Sequence, residues 1–167
     1  EEGEFKPLAK CCDDCCGGAC ANTTNFANIP LKDEDKWMIK KVNDAIEYID
    51  NAMERYDLAL AGQRVYDLIW NEYCDWYIEL TKSRLTEKGT AGNLVAQNVL
   101  CYVLTGILKL LHPFMPFITE EIYQALPHCA GAAESIVIAD YPKYDPSLEF
   151  AAESLSMSRV IGVIKAI

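Results

Sequence analysis

Residues 70–80 read WNEYCDWYIEL, and this stretch decides how the sequence around it can fold. Large apolar side chains recur there at intervals of three and four residues, which is the spacing of one face of an α-helix. Followed back towards Leu58, the same spacing predicts a helix over 58–80 with an apolar face wide enough to pack on two sides. The predicted buried set, next to a ridge of Tyr66, Trp70 and Tyr77, is Val65, Ile69, Tyr73, Trp76 and Leu80.

Helical patterns also flank this stretch on both sides. An earlier helix is predicted to begin at residues 33–35, where acidic side chains favour the positive end of the helix dipole. A later helix over about 92–111 ends before Pro113, whose ring clashes with a continuing helix. A fourth helix is predicted over about 116–126, with Pro116 in its first turn.

Together these patterns predict an all-α fold, an antiparallel helical bundle. One exception is expected at 135–139, where the β-branched run SIVIA favours a short extended segment. We divide the chain into an atypical Cys-rich segment at 1–30, a helical domain at 31–146 and the start of a further helical segment at 147–167. The last part keeps helical spacing without a stop signal, so we expect a piece of a longer polypeptide.

The chain is acidic, with 15 Lys and Arg against 25 Asp and Glu among its 167 residues and a net charge of −10. This charge argues against a protein that coats nucleic-acid phosphates, while recognition of a few bases through a local patch stays open. Half of the net charge falls in the first 35 residues. A membrane span is not expected, because polar residues interrupt the most apolar run, 94–111.

Five of the eight cysteines lie in one short run, CCDDCCGGAC, at residues 11–20. Cys12 and Cys15 form a CxxC pair, and Cys16 and Cys20 lie four residues apart, so these four are weak candidates for zinc. A zinc site of the usual kind has a second pair further along, and none follows here. We therefore expect no metal and favour an irregular segment with reactive thiols.

No arrangement of residues predicts catalysis. The two histidines, His112 and His128, lack a partner pattern, and the sequence has no Gly-rich phosphate-binding motif. The aromatic run in the 58–80 helix has two readings, which we leave open on the residues alone. Most of the rings are expected in the core, while one or two at its edge would stack on unpaired RNA bases.

Longer motifs now indicate a family. WNEYCDWYIEL resembles the signature helix of the anticodon-binding domain of valyl-tRNA synthetases, and HPFMPFITEEIYQ at 112–124 resembles a helical segment that isoleucyl and leucyl relatives share. DKWMIKKVN at 35–43 and SIVIADYP at 135–142 follow in the family's order. The resemblance covers 31–146. Before it, NTTNFANI at 22–29 resembles only a shortened form of the family's first helix.

The resemblance implies a domain that binds the anticodon loop of a valine-specific tRNA and itself catalyses nothing. It also implies a parent ligase that charges tRNA with valine for protein biosynthesis, using ATP and Mg in a separate catalytic domain. The signatures of that domain, His-Ile-Gly-His and Lys-Met-Ser-Lys-Ser, are absent from this sequence. We therefore expect a cytoplasmic domain without a cofactor, whose partners are tRNA and the catalytic and C-terminal domains of the same polypeptide.

Two alternatives stay open beside this interpretation. One is a helical protein–protein scaffold with a Cys-rich metal-binding module, and the other is the equivalent domain of an isoleucyl-type synthetase. For the leading interpretation, the resemblance makes Tyr73 the first candidate for stacking on an anticodon base. Arg55 is the first candidate for stacking or phosphate contact. The other candidate tRNA-binding residues are Asn71, Lys82, Arg84 and Lys88.

Overall fold

The computed structural model describes residues 30–128 and 132–166. Except for residue 30, the atypical segment predicted at 1–30, with the four candidate zinc cysteines, lies outside this range. Among the described residues two compact units occur, Ser83–Lys143 and Pro30–Lys82 with Tyr144–Ile167. Both units are helical, and no strand occurs within the described ranges, so the all-α prediction is confirmed.

Helix α1 (Asp33–Glu54) begins and ends as its sequence dictates. The Asp35 carboxylate accepts a 3.1 Å hydrogen bond from the Lys32 backbone N–H, which satisfies a donor at the start of the helix. After the helix, Tyr56 adopts a left-handed backbone with φ of 61°. The two C-terminal hydrogen bonds of a Schellman motif accompany it, from Tyr56 to Met53 and from Asp57 to Ala52. A sharp turn therefore leads into the next helix.

The WNEYCDWYIEL stretch at 70–80 lies in one continuous helix with an unusual centre. Helix α2 (Leu58–Asp67) passes into a π-helical segment (Leu68–Ile78) and then into α3 (Glu79–Thr86). A π-helix places more residues in each turn than an α-helix, so the buried positions step by five where it begins. The buried residues are Ala61, Val65, Leu68, Tyr73, Tyr77 and Thr81.

The predicted helix is confirmed, but its buried set is partly wrong. Val65 and Tyr73 are buried as expected, whereas Ile69, Trp76 and Leu80 are only half-buried. Leu68 and Tyr77 take the buried places instead. The prediction assumed an α-helical period throughout, and the π segment rotates the later residues around the helix axis.

Helix α6 (Ala151–Ala166) packs on α1 in the same unit. Lys36 of α1 forms a 2.8 Å ion pair with Glu153, and Lys40 bridges Asp44 and Glu149. A 3-10 turn (Pro146–Leu148) precedes α6. Two hydrogen bonds from the buried Asn43 side chain hold this turn. The Asn43 amide nitrogen donates to the Asp145 carbonyl at 2.8 Å, and its oxygen accepts from the Asp145 N–H at 2.9 Å. The domain boundary predicted at 146–147 stays a prediction.

The other unit contains α4 (Ala91–Leu111) and α5 (Pro116–Ala125), with ends close to those predicted. Thr90 caps α4 by accepting a hydrogen bond from the Asn93 N–H. The buried Asn93 amide donates to the carbonyls of Arg84 and Leu85, and so holds the end of α3. By length and composition alone, α4 could cross a membrane. However, 44% of its most apolar window is buried, and a buried core helix passes the same test.

The extended segment predicted at 135–139 is wrong at its centre. Ile136–Ile138 form a 3-10 turn, and only the flanking Ser135 and Ala139 are extended. Side chains, and not a neighbouring strand, form the hydrogen bonds to the backbone N–H groups of Ile136 and Val137 here. The Glu120 carboxylate accepts hydrogen bonds from the Ser135 hydroxyl and the Ile136 N–H, and the Ser135 hydroxyl accepts one from the Val137 N–H.

Candidate functional site

Two aromatic rings lie exposed on the helix that runs from 58 to 86. Tyr66 and Trp70 have 56% and 52% of their surfaces exposed. Their ring centroids are 6.2 Å apart and the planes are tilted by 48°. This spacing is typical of aromatic pairs, and both rings keep free face or edge area towards solvent. The pair is a surface on which a planar ligand can stack.

A row of polar side chains runs beside the aromatic pair on the same helix. The Asp67 Oδ1 atom accepts hydrogen bonds from the amide nitrogens of Gln63 and Asn71, at 3.2 and 3.1 Å. Gln63 and Asn71 are exposed and Asp67 is half-buried. We call these three residues, with Tyr66 and Trp70, the aromatic–acceptor face.

The opposite side of the helix buries its aromatic residues. Tyr77 is fully buried and donates a 2.7 Å hydrogen bond to the carboxylate of Asp35, itself fully buried in α1. Tyr73 is 8% exposed, with its ring centroid 6.3 Å from that of Tyr77. Tyr73 therefore presents little surface to a ligand, and its predicted role in stacking stays a prediction.

Charged side chains tie this helix to α1. Glu72, at the centre of the π segment, forms ion pairs with Arg64 at 3.1 Å and with Lys41 at 3.4 Å. Arg64 also donates a 3.4 Å hydrogen bond to the Lys41 backbone carbonyl. These partly buried pairs hold the π segment against α1.

The basic candidates lie in different environments. Arg55 is exposed in the turn after α1, where its side chain pairs with Asp57 at 3.3 Å. Lys82 is exposed on α3 and pairs with Glu79, and Lys88 is exposed in the loop before α4. Arg84 is 5% exposed. Arg55, Lys82 and Lys88 can thus reach a ligand in this structure, whereas the side chain of Arg84 lies inside the protein.

Within 30–128 and 132–166, no group of three or more His, Cys, Asp or Glu side chains could hold a metal ion. Burial, and secondly the charge of Asp75, raises the pKa of the Cys74 thiol in the π segment. A raised pKa keeps the thiol protonated, and the protonated form is the less reactive one.

The sequence left open that one or two rings of the aromatic run stack on RNA, but the resemblance singled out Tyr73 and not Tyr66 or Trp70. Sequence reasoning placed Tyr66 and Trp70 in an apolar ridge, because an α-helical period does not separate them from the buried tyrosines. One signal could have found them. Gln63, Asp67 and Asn71 recur every four residues beside the two rings, so polar residues line the edge of the ridge.

Comparison with known proteins fits this architecture. Residues 35–167 match the family model described as the anticodon-binding domain of tRNA ligase. A valine–tRNA ligase of Staphylococcus haemolyticus is 38% identical over 133 residues, which cover 80% of this chain and 15% of that protein. A valine–tRNA ligase of Clostridium acetobutylicum is 41% identical with the same coverage. For one of Thermotoga maritima the identity is 40% over 149 residues, or 87% of this chain and 16% of that protein.

The extent of these matches separates the domain from the whole enzyme. The chain spans about 15% of the length of the curated relatives that it matches. The family model covers most of the chain and includes α1 from Asp35 onward, the aromatic–acceptor face and α6. The chain therefore belongs to the family of anticodon-binding domains of tRNA ligases.

Proposed function

We propose that this chain binds the anticodon loop of a valine-accepting tRNA, as one domain of a valine–tRNA ligase. Valine specificity rests on the WNEYCDWYIEL helix and on the names of the similar relatives. The observation that carries the proposal is the family match over 35–167. It favours an RNA-binding domain over a helical scaffold with a Cys-rich metal module.

Each exposed candidate offers one kind of contact to an anticodon loop. Asn71 offers an amide to base edges, whereas Arg55, Lys82 and Lys88 offer positive charge to phosphates. Tyr73 and Arg84 are buried, so in the unbound protein we assign each a supporting role within its own unit. Direct contact between Tyr73 and an anticodon base requires the edge of its ring to become more exposed on binding.

The rest of the reaction belongs to other parts of the proposed parent enzyme. ATP and magnesium would act in its catalytic domain, and the residues of this chain would hold neither. The parent would be cytoplasmic, as expected for a ligase that supplies protein synthesis. The catalytic and C-terminal domains would be partners of this domain within one polypeptide.

The test is binding of the 167-residue chain to valine-specific tRNA transcripts with native and swapped anticodons, over a series of salt concentrations. We expect weak binding that prefers the native anticodon. The net charge of −10 limits any contribution from phosphate contacts. Equal affinity for both transcripts would contradict anticodon recognition. A preference for an isoleucine-specific transcript would transfer the proposal to the isoleucyl enzymes.

A further inference from the structure

We propose that the aromatic–acceptor face is a nucleobase site, where Tyr66 and Trp70 stack on one unpaired base and Asp67 selects a base that carries an amino group. This inference rests on the proposed function, because it assigns a reading surface for the anticodon loop. Of its residues only Asn71 was a candidate from the sequence, and its stacking residues differ from the predicted Tyr73. The two rings are exposed, whereas Tyr73 is buried.

The geometry of the two rings suits stacking. Their centroids lie 6.2 Å apart with a 48° tilt, so one ring can contact the face of a base while the other contacts its edge. Every base has a π face, and stacking on aromatic side chains is a common way to hold unpaired RNA. Both residues lie on the helix that ion pairs of Glu72 hold against α1, so the rings have a firm support.

The hydrogen bonds around Asp67 decide which atoms remain for a ligand. Gln63 and Asn71 each donate an amide hydrogen to the same oxygen of Asp67. A carboxylate is an acceptor only, and each amide keeps an oxygen that accepts. The amide hydrogens are thus partly used within the row, whereas the second Asp67 oxygen and the two amide oxygens remain to accept. The edge of the aromatic pair is rich in acceptors.

An edge rich in acceptors selects bases with donors. Adenine, cytosine and guanine carry exocyclic amino groups that donate, whereas uracil carries none and donates only through its ring N3–H. Valine codons begin with GU, so the anticodon that pairs with them ends in adenine and cytosine. Both bases fit an acceptor such as Asp67. The acidic character of this face therefore agrees with the reading of a base edge, although it disfavours phosphate.

The test uses the full 167-residue chain and RNA hairpins that carry a valine anticodon loop. Trp70→Ala should weaken binding by about 5- to 150-fold, the range expected for loss of one stacked base. Trp70→Phe keeps a ring and should retain most of the affinity. Tyr48→Ala is the matched control, because Tyr48 is an exposed tyrosine on α1. Thermal unfolding of each variant shows that the fold is retained.

A second arm tests the acceptor. In one hairpin the anticodon adenine is replaced by purine, and in another the anticodon cytosine is replaced by pyrimidin-2-one, so each lacks one amino group. Wild type should bind one of these hairpins about tenfold more weakly, as expected for the loss of a charge-assisted hydrogen bond. Asp67→Asn, which presents an amide, should lose this discrimination.

The outcomes separate the inference from the proposed function. Wild-type affinity in Trp70→Ala and Tyr66→Ala would overturn the stacking site and indicate that another protein surface covers these rings. Discrimination that persists in Asp67→Asn would overturn the role of the carboxylate. In both cases the proposed function survives, provided that wild type still prefers the native anticodon. Without that preference, both the proposed function and this inference fail.

Discussion

The two faces of the helix over 58–86 carry similar aromatic residues in opposite environments. On one face Tyr77 is fully buried and Tyr73 nearly so. On the other face Tyr66 and Trp70 expose about half of their surfaces. The two buried tyrosine rings pack near each other, and Tyr77 donates a hydrogen bond to Asp35. The exposed rings lie beside polar side chains whose oxygens can accept hydrogen bonds from a ligand.

This difference shows how one helix can serve both stability and recognition. The buried rings remove apolar area from water, which stabilises the fold. The exposed rings contribute little to folding and remain available for a ligand. The π segment, from Leu68 to Ile78, sets the rotation that sorts the rings between the two faces.

The largest expected effect is on the buried face. Tyr77→Ala should lower the free energy of unfolding by about 3–5 kcal/mol, because it leaves a cavity and a buried Asp35 without its hydroxyl partner. The exposed counterpart, Tyr66→Ala, should change it by less than about 0.5 kcal/mol. Urea denaturation measures both values. Similar losses for the two variants would contradict the assignment of faces.

The next effect concerns the residue that sequence reasoning placed at the RNA. Tyr73→Ala should lower the free energy of unfolding by about 2–4 kcal/mol, because 92% of Tyr73 is removed from solvent. Tyr73→Phe keeps the ring and serves as the control for the hydroxyl. Denaturation and hairpin binding are measured on both variants. A stable Tyr73→Ala protein that loses RNA binding would show that Tyr73 stacks on a base after all.

One lysine, Lys109, is buried in the other unit of the chain. Lys109 of α4 is only 4% exposed, and burial lowers the pKa of its ammonium group, with Asp140 acting in the opposite direction. A buried charge opposes folding, so Lys109→Met should raise the free energy of unfolding by about 1 kcal/mol at neutral pH. Chemical denaturation at pH 7 measures this gain.

The pH dependence of this gain has a defined sign. Between the lowered pKa of folded Lys109 and the ordinary value of 10.5, the unfolded chain binds the proton and the folded chain does not. The stability of wild type relative to Lys109→Met therefore rises with pH in this window. The gain from the substitution should shrink as pH approaches 10.5. A gain that grows with pH would show that the ammonium has a stabilising partner.

The smallest expected effect belongs to an exposed lysine. Lys82 lies on α3 and pairs with Glu79 in solvent, so Lys82→Ala should change stability by less than about 0.5 kcal/mol. If Lys82 meets a phosphate, the slope of log affinity against log salt should fall by about 0.7. Tyr48→Ala again provides the control. An unchanged slope would remove Lys82 from the tRNA-binding residues.

Much of the fold could be predicted from local signals. Acidic residues at 33–35 and Pro116 marked helix starts that the structure has at Asp33 and Pro116, and Pro113 correctly stopped α4. These signals act within one turn of a helix, so the sequence carries them directly. The family resemblance, based on contiguous motifs, is confirmed for the same reason.

The remainder depended on contacts that are distant in sequence. The phase of the 58–86 helix changes in its π segment, where Glu72 meets Lys41 and Tyr77 meets Asp35, and no local period reveals this. The SIVIA run has the pattern of an extended segment, yet it forms a 3-10 turn in which the Glu120 carboxylate accepts hydrogen bonds from Ser135 and Ile136. Tyr66 and Trp70 were not singled out within the aromatic run, because an α-helical period places them on one ridge with Tyr77, whereas the π segment turns Tyr77 into the core.

The most direct test of this account is the ratio of dissociation constants for native and swapped valine anticodons, measured on wild type and on Trp70→Ala in one low-salt buffer. Wild type should clearly prefer the native anticodon. Most of this preference should disappear in Trp70→Ala but not in Tyr48→Ala. An equal ratio in all three proteins would contradict the claim that the exposed face of this helix reads the anticodon.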